Sequence, residues 1–457
     1  MPDLIDRALR AAERPPVALL HAPRCLTARD ASARCTACAD ACPVDALAVT
    51  PLVAEGAQPY ESVNPTGKAG PRIDDEACVR CGACVTACPT NALLPLPPLD
   101  DEALFARAAS AAARAAERAV EQAAENASRG TAMDETTGKS AALNGRAFEN
   151  AVEDAAGALG CDANDAAHGA AGENAPAVEG PAPATAGLVC ERWAQTRRLD
   201  GDRTVVLPCL GWVDAPLLVH MACNGAERIV LPLEACAACA LTTAAARVPE
   251  AAAQAQRICG TWGLHIVIDA TGEGALAPLE ANPDTDAAGE LSRRNLIAQA
   301  GTSLVDAAKA EAAKQLESLA GASAHADTSP EPDARRWQLL DDLHAAGLPD
   351  DGTVVPRALA PRVSVDADHC SGCAQCALFC PTEALRKAGR LSGGRTLLEF
   401  DPSRCCDCGV CEDTCRYDAL VRDETLTVGE LFALDPREIA IPKRRVLPEH
   451  KQAAVGP

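Results

Sequence analysis

The residues that most constrain the chemistry are cysteines, 24 of them in a chain of 457. Near the C-terminus Cys370, Cys373, Cys376 and Cys380 follow the spacing C-x2-C-x2-C-x3-C, and Cys405, Cys408, Cys411 and Cys415 repeat it. Three thiolates two residues apart wrap one iron–sulfur cubane corner by corner, while the fourth points across to a neighbouring cluster. The spacing therefore predicts two [4Fe–4S] clusters with crossed ligation. One takes Cys370, Cys373, Cys376 and Cys415, and the other takes Cys405, Cys408, Cys411 and Cys380.

The N-terminal block carries the same signal in an altered form. Cys78, Cys81, Cys84 and Cys88 give the full pattern, whereas Cys35, Cys38 and Cys42 give its last three positions, with Ser32 where the first ligand is expected. Cys25 lies upstream, with nine residues between it and Cys35, and is the candidate replacement because a loop of that length can return to the cluster. One cluster is expected on Cys25, Cys35, Cys38 and Cys88, the other on Cys42, Cys78, Cys81 and Cys84. Zinc is the competing metal, but zinc sites favour two C-x2-C pairs separated by a long finger. Disulfides are disfavoured in a reducing compartment.

A run is echoed behind each fourth cysteine: Pro43-Val-Asp-Ala-Leu47, Pro89-Thr-Asn-Ala-Leu93, Pro381-Thr-Glu-Ala-Leu385 and Arg416-Tyr-Asp-Ala-Leu420. Each reads as a short helix. With these runs both blocks resemble the bacterial-type two-cluster ferredoxin, which implies its fold and electron-carrying role. Arg416 stands where that family has Pro, a position that is not a ligand.

The central cysteines are less regular. Cys190, Cys209, Cys236 and Cys239 fall at the entrance to a predicted α/β unit and at the ends of its first two strands, and the carboxyl edge of a parallel α/β sheet is where ligands gather. The alternatives there are a fifth metal centre, either iron–sulfur or zinc, and plain core thiols. Cys223 and Cys259, inside predicted helices, read as core residues, and Cys161 and Cys406 as bystanders. The run Val205-Val-Leu-Pro-Cys-Leu-Gly211, with Gly225 to Leu231 and then Cys236-x2-Cys239, resembles the delta-subunit domain of methyl-viologen-reducing hydrogenases. That resemblance implies a [2Fe–2S] centre passing electrons to heterodisulfide-reductase-type partners.

The elements that must position these residues follow from apolar runs and breakers. Thr204–Leu207, Arg228–Leu233 and Leu264–Ala270 read as strands, and Ala215–Gly225 and Thr242–Trp262 as helices, giving a parallel β-α-β-α-β unit. Asp100 to Arg129 reads as a surface helix rich in Ala, Glu and Arg. Thr131–Gly187 and residues 282–363 read as linkers, the second holding a helix at Leu304–Leu319. The expected class is an α+β and α/β multidomain chain. Its divisions are 1–99 (N-terminal dicluster module), 100–187 (helix and disordered linker), 188–281 (central α/β domain), 282–363 (linker with helix) and 364–457 (C-terminal dicluster module and tail). The ends are expected to be tethered rather than fused. Gly272-Glu-Gly-Ala-Leu-Ala277 is formally G-x-G-x-x-A, but Pro278 and Pro283 deny it the helix a dinucleotide site needs.

A net charge of −22 argues against a nucleic-acid partner, since phosphate backbones are bound by clustered Lys and Arg. No stretch of about 18 apolar residues occurs, so direct membrane insertion is not expected and the cytoplasm is the expected compartment. No catalytic motif is visible. The expected function is that of a non-catalytic polyferredoxin carrying four [4Fe–4S] clusters between redox enzyme subunits. By resemblance, its setting is an anaerobic formate dehydrogenase, hydrogenase or molybdo-oxidoreductase. The alternatives are a flavoprotein-partnered subunit of the heterodisulfide-reductase or hydrogenase kind, and a cluster-delivering maturation factor.

Overall fold

Short antiparallel ribbons frame the cysteine loops at both ends, because each loop leaves a strand and the run behind its last cysteine enters one. The computed structural model describes residues 17–29, 35–50, 70–97, 99–135, 183–271, 276 and 333–445. In the N-terminal module β1 (Ala18–Leu20) pairs with β4 (Leu93–Pro95), and β2 (Leu47–Thr50) pairs with β3 (Gly70–Ile73). Helices α1 (Leu26–Arg29), α2 (Ala37–Asp40) and α3 (Ala83–Ala87) are single turns beside the cysteines.

Helix α4 (Asp101–Glu135) follows. The sequence suggests a surface helix, yet Leu104, Phe105, Ala108, Ala111, Ala112 and Ala115 form a buried stripe at helical spacing. Four of the six are alanines, so the stripe has little hydropathy contrast and is hidden from an apolar-period reading.

The central domain is a four-stranded parallel sheet in the order β6-β5-β7-β8, built from β5 (Thr185–Cys190), β6 (Thr204–Leu207), β7 (Arg228–Val230) and β8 (Val267–Asp269). Its central strand, β5, begins inside the stretch expected to be linker. Between the strands lie α5 (Glu191–Ala194), α6 (Ala215–Cys223) and α7 (Val248–Thr261). Leu276 returns to the sheet, and a β-carbon on Gly187 would stand 2.2 Å from its methyl group. The rest of the G-x-G-x-x-A run lies outside the described residues.

Residues 333–363, expected to be linker, are packed structure. Helix α8 (Ala334–Ala345) buries Leu339, Leu340 and Leu343 against the central domain. Its Asp342 carboxylate meets His220 Nδ1 at 2.7 Å, while His220 Nε2 reaches the Phe105 carbonyl at 3.1 Å. One imidazole on α6 thus ties α4, α6 and α8 together. The expected helix at 304–319 lies outside the described residues.

In the C-terminal module β9 (Arg362–Val365) pairs with β12 (Leu420–Asp423). Strands β10 (Leu385–Arg390), β11 (Thr396–Phe400) and β13 (Arg437–Ile441) form a three-stranded antiparallel sheet. Short helices α9 (Gln375–Phe379), α10 (Val410–Asp413) and α11 (Val428–Phe432) complete it. The runs behind the fourth cysteines are turns, not helices. Asp45, Asn91, Glu383 and Asp418 take left-handed backbone, with φ between 49° and 56°, and the next leucine starts β2, β4, β10 or β12.

One apolar core runs from Val17, Leu47, Val85 and Leu93 through α4 and the central domain to Val355, Leu359, Val428 and Leu431. The ends are therefore not simply tethered. The C-terminal module also keeps a core of its own around Val363, Leu385, Leu398, Phe400, Leu420 and Ile441. Among the described residues no helix is long and apolar enough to cross a membrane.

Candidate iron–sulfur centres

The three complete cysteine loops share one backbone device. The residue before the second cysteine is left-handed in each (Arg80, Gly372, Asp407), and so is the residue after it (Gly82, Ala374, Gly409). Two left-handed residues flanking one cysteine curl the loop around a point, so its thiols face inward rather than alternating as on a strand. The amides of Arg80 and Gly372 then point at the sulfurs of Cys78 and Cys370, both at 3.4 Å.

The turn behind each fourth cysteine does the same. Ala46 N–H donates to Cys42 Sγ at 3.2 Å, Ala92 N–H to Cys88 Sγ at 3.2 Å, Leu385 N–H to Cys380 Sγ at 3.4 Å and Ala419 N–H to Cys415 Sγ at 3.3 Å. Arg416 does not disturb this geometry. Such hydrogen bonds favour the negatively charged thiolate and are among the levers that set a cluster's potential. The acidic or amide residue that makes each turn was readable as a repeat, but its conformational role was not.

The structure brings the cysteines together in groups. Cys25, Cys35, Cys38 and Cys88 line one small pocket, and Cys42, Cys78, Cys81 and Cys84 line another. Thr27 Oγ1 donates to the Cys35 carbonyl at 3.1 Å, fixing the turn that carries Cys25 beside the Cys35 loop. In the C-terminal module Cys370, Cys373, Cys376 and Cys415 lie within electrostatic reach of one another, and so do Cys380, Cys405, Cys408 and Cys411. Burial pushes the thiols of Cys38, Cys84, Cys376 and Cys405 up to about 12 and that of Cys81 to about 11. Iron must displace those protons, so loading releases them.

The donor sets fit a cubane. Each group is four thiols; in three of them three come from one loop and one from the other half of the module, and in the first Cys25 joins Cys35 and Cys38 from a separate turn, with Cys88 from the other half. Among the described residues no three His, Cys, Asp or Glu side chains converge closely enough to hold a single ion. A cubane needs a wider cup, because each thiolate binds a different iron.

A fifth group gathers at the carboxyl edge of the parallel sheet. Cys190 ends β5, Cys209 follows β6, Cys236 lies in the 3-10 turn after β7, and Cys239 directly follows that turn. Each of Cys190, Cys209 and Cys239 acts electrostatically on Cys236, whose thiol burial pushes up to about 11. Arg192 Nη1 and the Leu241 amide each approach Cys239 Sγ at 3.5 Å. Cys223 and Cys259 stand apart from these groups. Cys259 is fully buried and Cys223 packs against the same core. Cys161 lies outside the described residues.

Residues 33–92 and 369–419 match a 4Fe-4S dicluster domain family, and residues 70–136 match a second family of the same description. Through both its ends the chain belongs to the 4Fe-4S dicluster domain family. It binds iron–sulfur clusters and transfers electrons. It is also similar to the NADH-dependent phenylglyoxylate dehydrogenase subunit delta of Aromatoleum evansii, at 31% identity over 85 residues, which is 17% of this chain and 85% of that one. No solved structure matches the chain. The dicluster matches leave out the central sheet from Thr185 onward.

Proposed function

We propose that the chain is a polyferredoxin subunit with four [4Fe–4S] clusters and a fifth iron–sulfur centre in its middle, serving an oxidoreductase complex of the dehydrogenase kind. The ligand sets are Cys25/Cys35/Cys38/Cys88, Cys42/Cys78/Cys81/Cys84, Cys370/Cys373/Cys376/Cys415 and Cys380/Cys405/Cys408/Cys411. Cys190, Cys209, Cys236 and Cys239 hold the fifth centre. When bound, such clusters supply one-electron storage at low potential. The chain's own residues hold the thiolates, direct amides at their sulfurs and exclude water with the cores around them.

The observation that carries this reading is the cup repeated in three groups, in which three thiols of one curled loop meet a fourth from across the module, together with the amide on each such fourth sulfur, Cys88 of the remaining group included. The relative supports the setting, being by its name a subunit of a larger dehydrogenase.

Iron and sulfide analysis of anaerobically purified protein tests it. The four cubanes require about sixteen irons per chain, and the fifth centre adds to them. A Cys236→Ser/Cys239→Ser variant should lose only that addition. A wild-type value below about twelve irons, with no low-potential paramagnetic signal on reduction, would sink the proposal.

A further inference from the structure

Three contacts set the spatial order of the five cysteine groups. The first joins the middle to the N-terminal module. Cys81 and Cys209 share one small buried cluster, Trp212 Nε1 donates to the Arg80 carbonyl at 2.9 Å, and Thr86 Oγ1 donates to the Gly211 carbonyl at 2.9 Å. The second lies within that module, where α2, which carries Cys38, packs against α3, which carries Cys84.

The third joins the two dicluster modules. Asp333, at the start of α8, pairs with Arg24 at 2.5 Å and reaches Arg404 at 3.9 Å. Arg24 precedes Cys25, and Arg404 precedes Cys405. The Arg24 and Asp333 side chains are 6% and 8% exposed, so this is an internal joint rather than a surface ion pair. Arg336 of α8 donates to the Ser403 carbonyl at 2.8 Å. Arg29, at the end of the turn after Cys25, donates to the Leu378 carbonyl at 2.8 Å, between Cys376 and Cys380. Cys88 and Cys405 line one cavity.

From this we infer that the chain is a single intramolecular wire with a fixed order. It runs from the central group through Cys42/Cys78/Cys81/Cys84, then Cys25/Cys35/Cys38/Cys88, then across the Asp333 joint to Cys380/Cys405/Cys408/Cys411, and it ends at Cys370/Cys373/Cys376/Cys415. The inference rests on the cluster reading above. It adds that the Cys25 group and the Cys405 group exchange electrons directly, with Arg24, Asp333 and Arg404 as positioning residues that hold the two loops together. Each hop moves one electron, so one cluster is oxidised as its neighbour is reduced, with no bond made or broken and no proton moved. A one-electron redox protein supplies electrons at one end and another accepts them at the other. The far end is open, since Cys373 is exposed.

The test uses the full chain, purified anaerobically and fully reduced. Pulsed electron paramagnetic resonance reads the magnetic coupling between the Cys25 and Cys405 groups. Compared with a Cys405→Ala/Cys408→Ala variant that empties one of them, the wild type should show faster relaxation of the N-terminal signal. Asp333→Ala should lose that enhancement while keeping its full iron, and Asp333→Asn should lose it in part. A fully loaded wild type whose N-terminal signal is the same with and without the Cys405 group would overturn the wire and leave the cluster reading standing. Iron well below about sixteen per chain would end both.

Discussion

A β-carbon placed on Gly211 would stand 2.6 Å from the carbonyl oxygen of Cys81. The loop after β6 and the loop that carries Cys81 therefore touch backbone to backbone, with Gly82 opposite, where a β-carbon would enter the Trp212 ring at 2.3 Å. Two glycines, one per loop, allow the central sheet and the N-terminal module to meet this closely.

Gly211→Ala should accordingly destabilise the protein by about 1–3 kcal/mol, the usual cost of overpacking against atoms that cannot move aside. Gly201→Ala, at a site with nothing within 4 Å, is the matched control and should be near neutral. Denaturant unfolding of the two variants checks this. Equal midpoints would mean the loops separate readily.

The cores predict unequal behaviour of the two ends when cut apart. A fragment beginning near Arg362 keeps the core around Leu385, Leu398, Phe400 and Ile441 and should take up about eight irons. A fragment ending near Asp100 loses α4 and the central domain, on which Val17, Val85 and Leu93 pack, and should load poorly. Iron analysis of both fragments decides. Full loading of the N-terminal fragment would show that its apolar contacts are dispensable.

The cysteine loops are legible in the sequence, because the x2-x2-x3 spacing leaves one residue of each four out of reach of its own loop. The elements that join the modules are not. Thr185–Cys190 holds small residues beside an Ala/Pro-rich stretch, so the central strand has little apolar signal. Helix α8 carries Arg335 and Arg336 side by side and looks solvated, yet both guanidiniums are buried against carboxylates or carbonyls. Charged residues that bury themselves by pairing across the chain leave no local pattern to read.

Arg335 yields a stability prediction with a pH sign. It pairs with both Asp101 and Asp214, and its side chain is 8% exposed. Removing one partner of a buried ion pair typically costs about 3–5 kcal/mol, because the other charge is left without compensation. Arg335→Ala should fall in that range near neutral pH. Burial already pushes the Asp101 carboxyl above its usual range, with Arg335 opposing. A carboxyl whose folded value is raised favours folding when protonated and loses that advantage as pH rises through the folded value. The deficit of Arg335→Ala should therefore shrink as the pH is lowered into the carboxylate range. A deficit that grows on acidification would contradict this.

Cys25 and Cys406 separate ligand from neighbour. Cys25→Ser should lower the iron content by about four, or by about one if a three-iron remnant stays. Unchanged iron would remove Cys25 from its ligand set.

Cys406→Ala should leave iron unchanged and alter a potential instead. The Cys406 thiol sits beside the Cys408 sulfur, and that neighbour holds the Cys408 thiol down to about 7 while Cys406 is raised well above its ordinary value. Cys406 is thus the member of the pair that keeps its proton and donates. A donor on a ligand sulfur stabilises the reduced, more negative cluster. Its removal should lower the potential at the Cys405 group. One neutral hydrogen bond is worth about 0.5–1.5 kcal/mol, which for a one-electron couple corresponds to about 20–60 mV. Redox titration followed by paramagnetic resonance reads the change. A rise in potential, or a loss of iron, would show that Cys406 is not the donor but part of the ligand set.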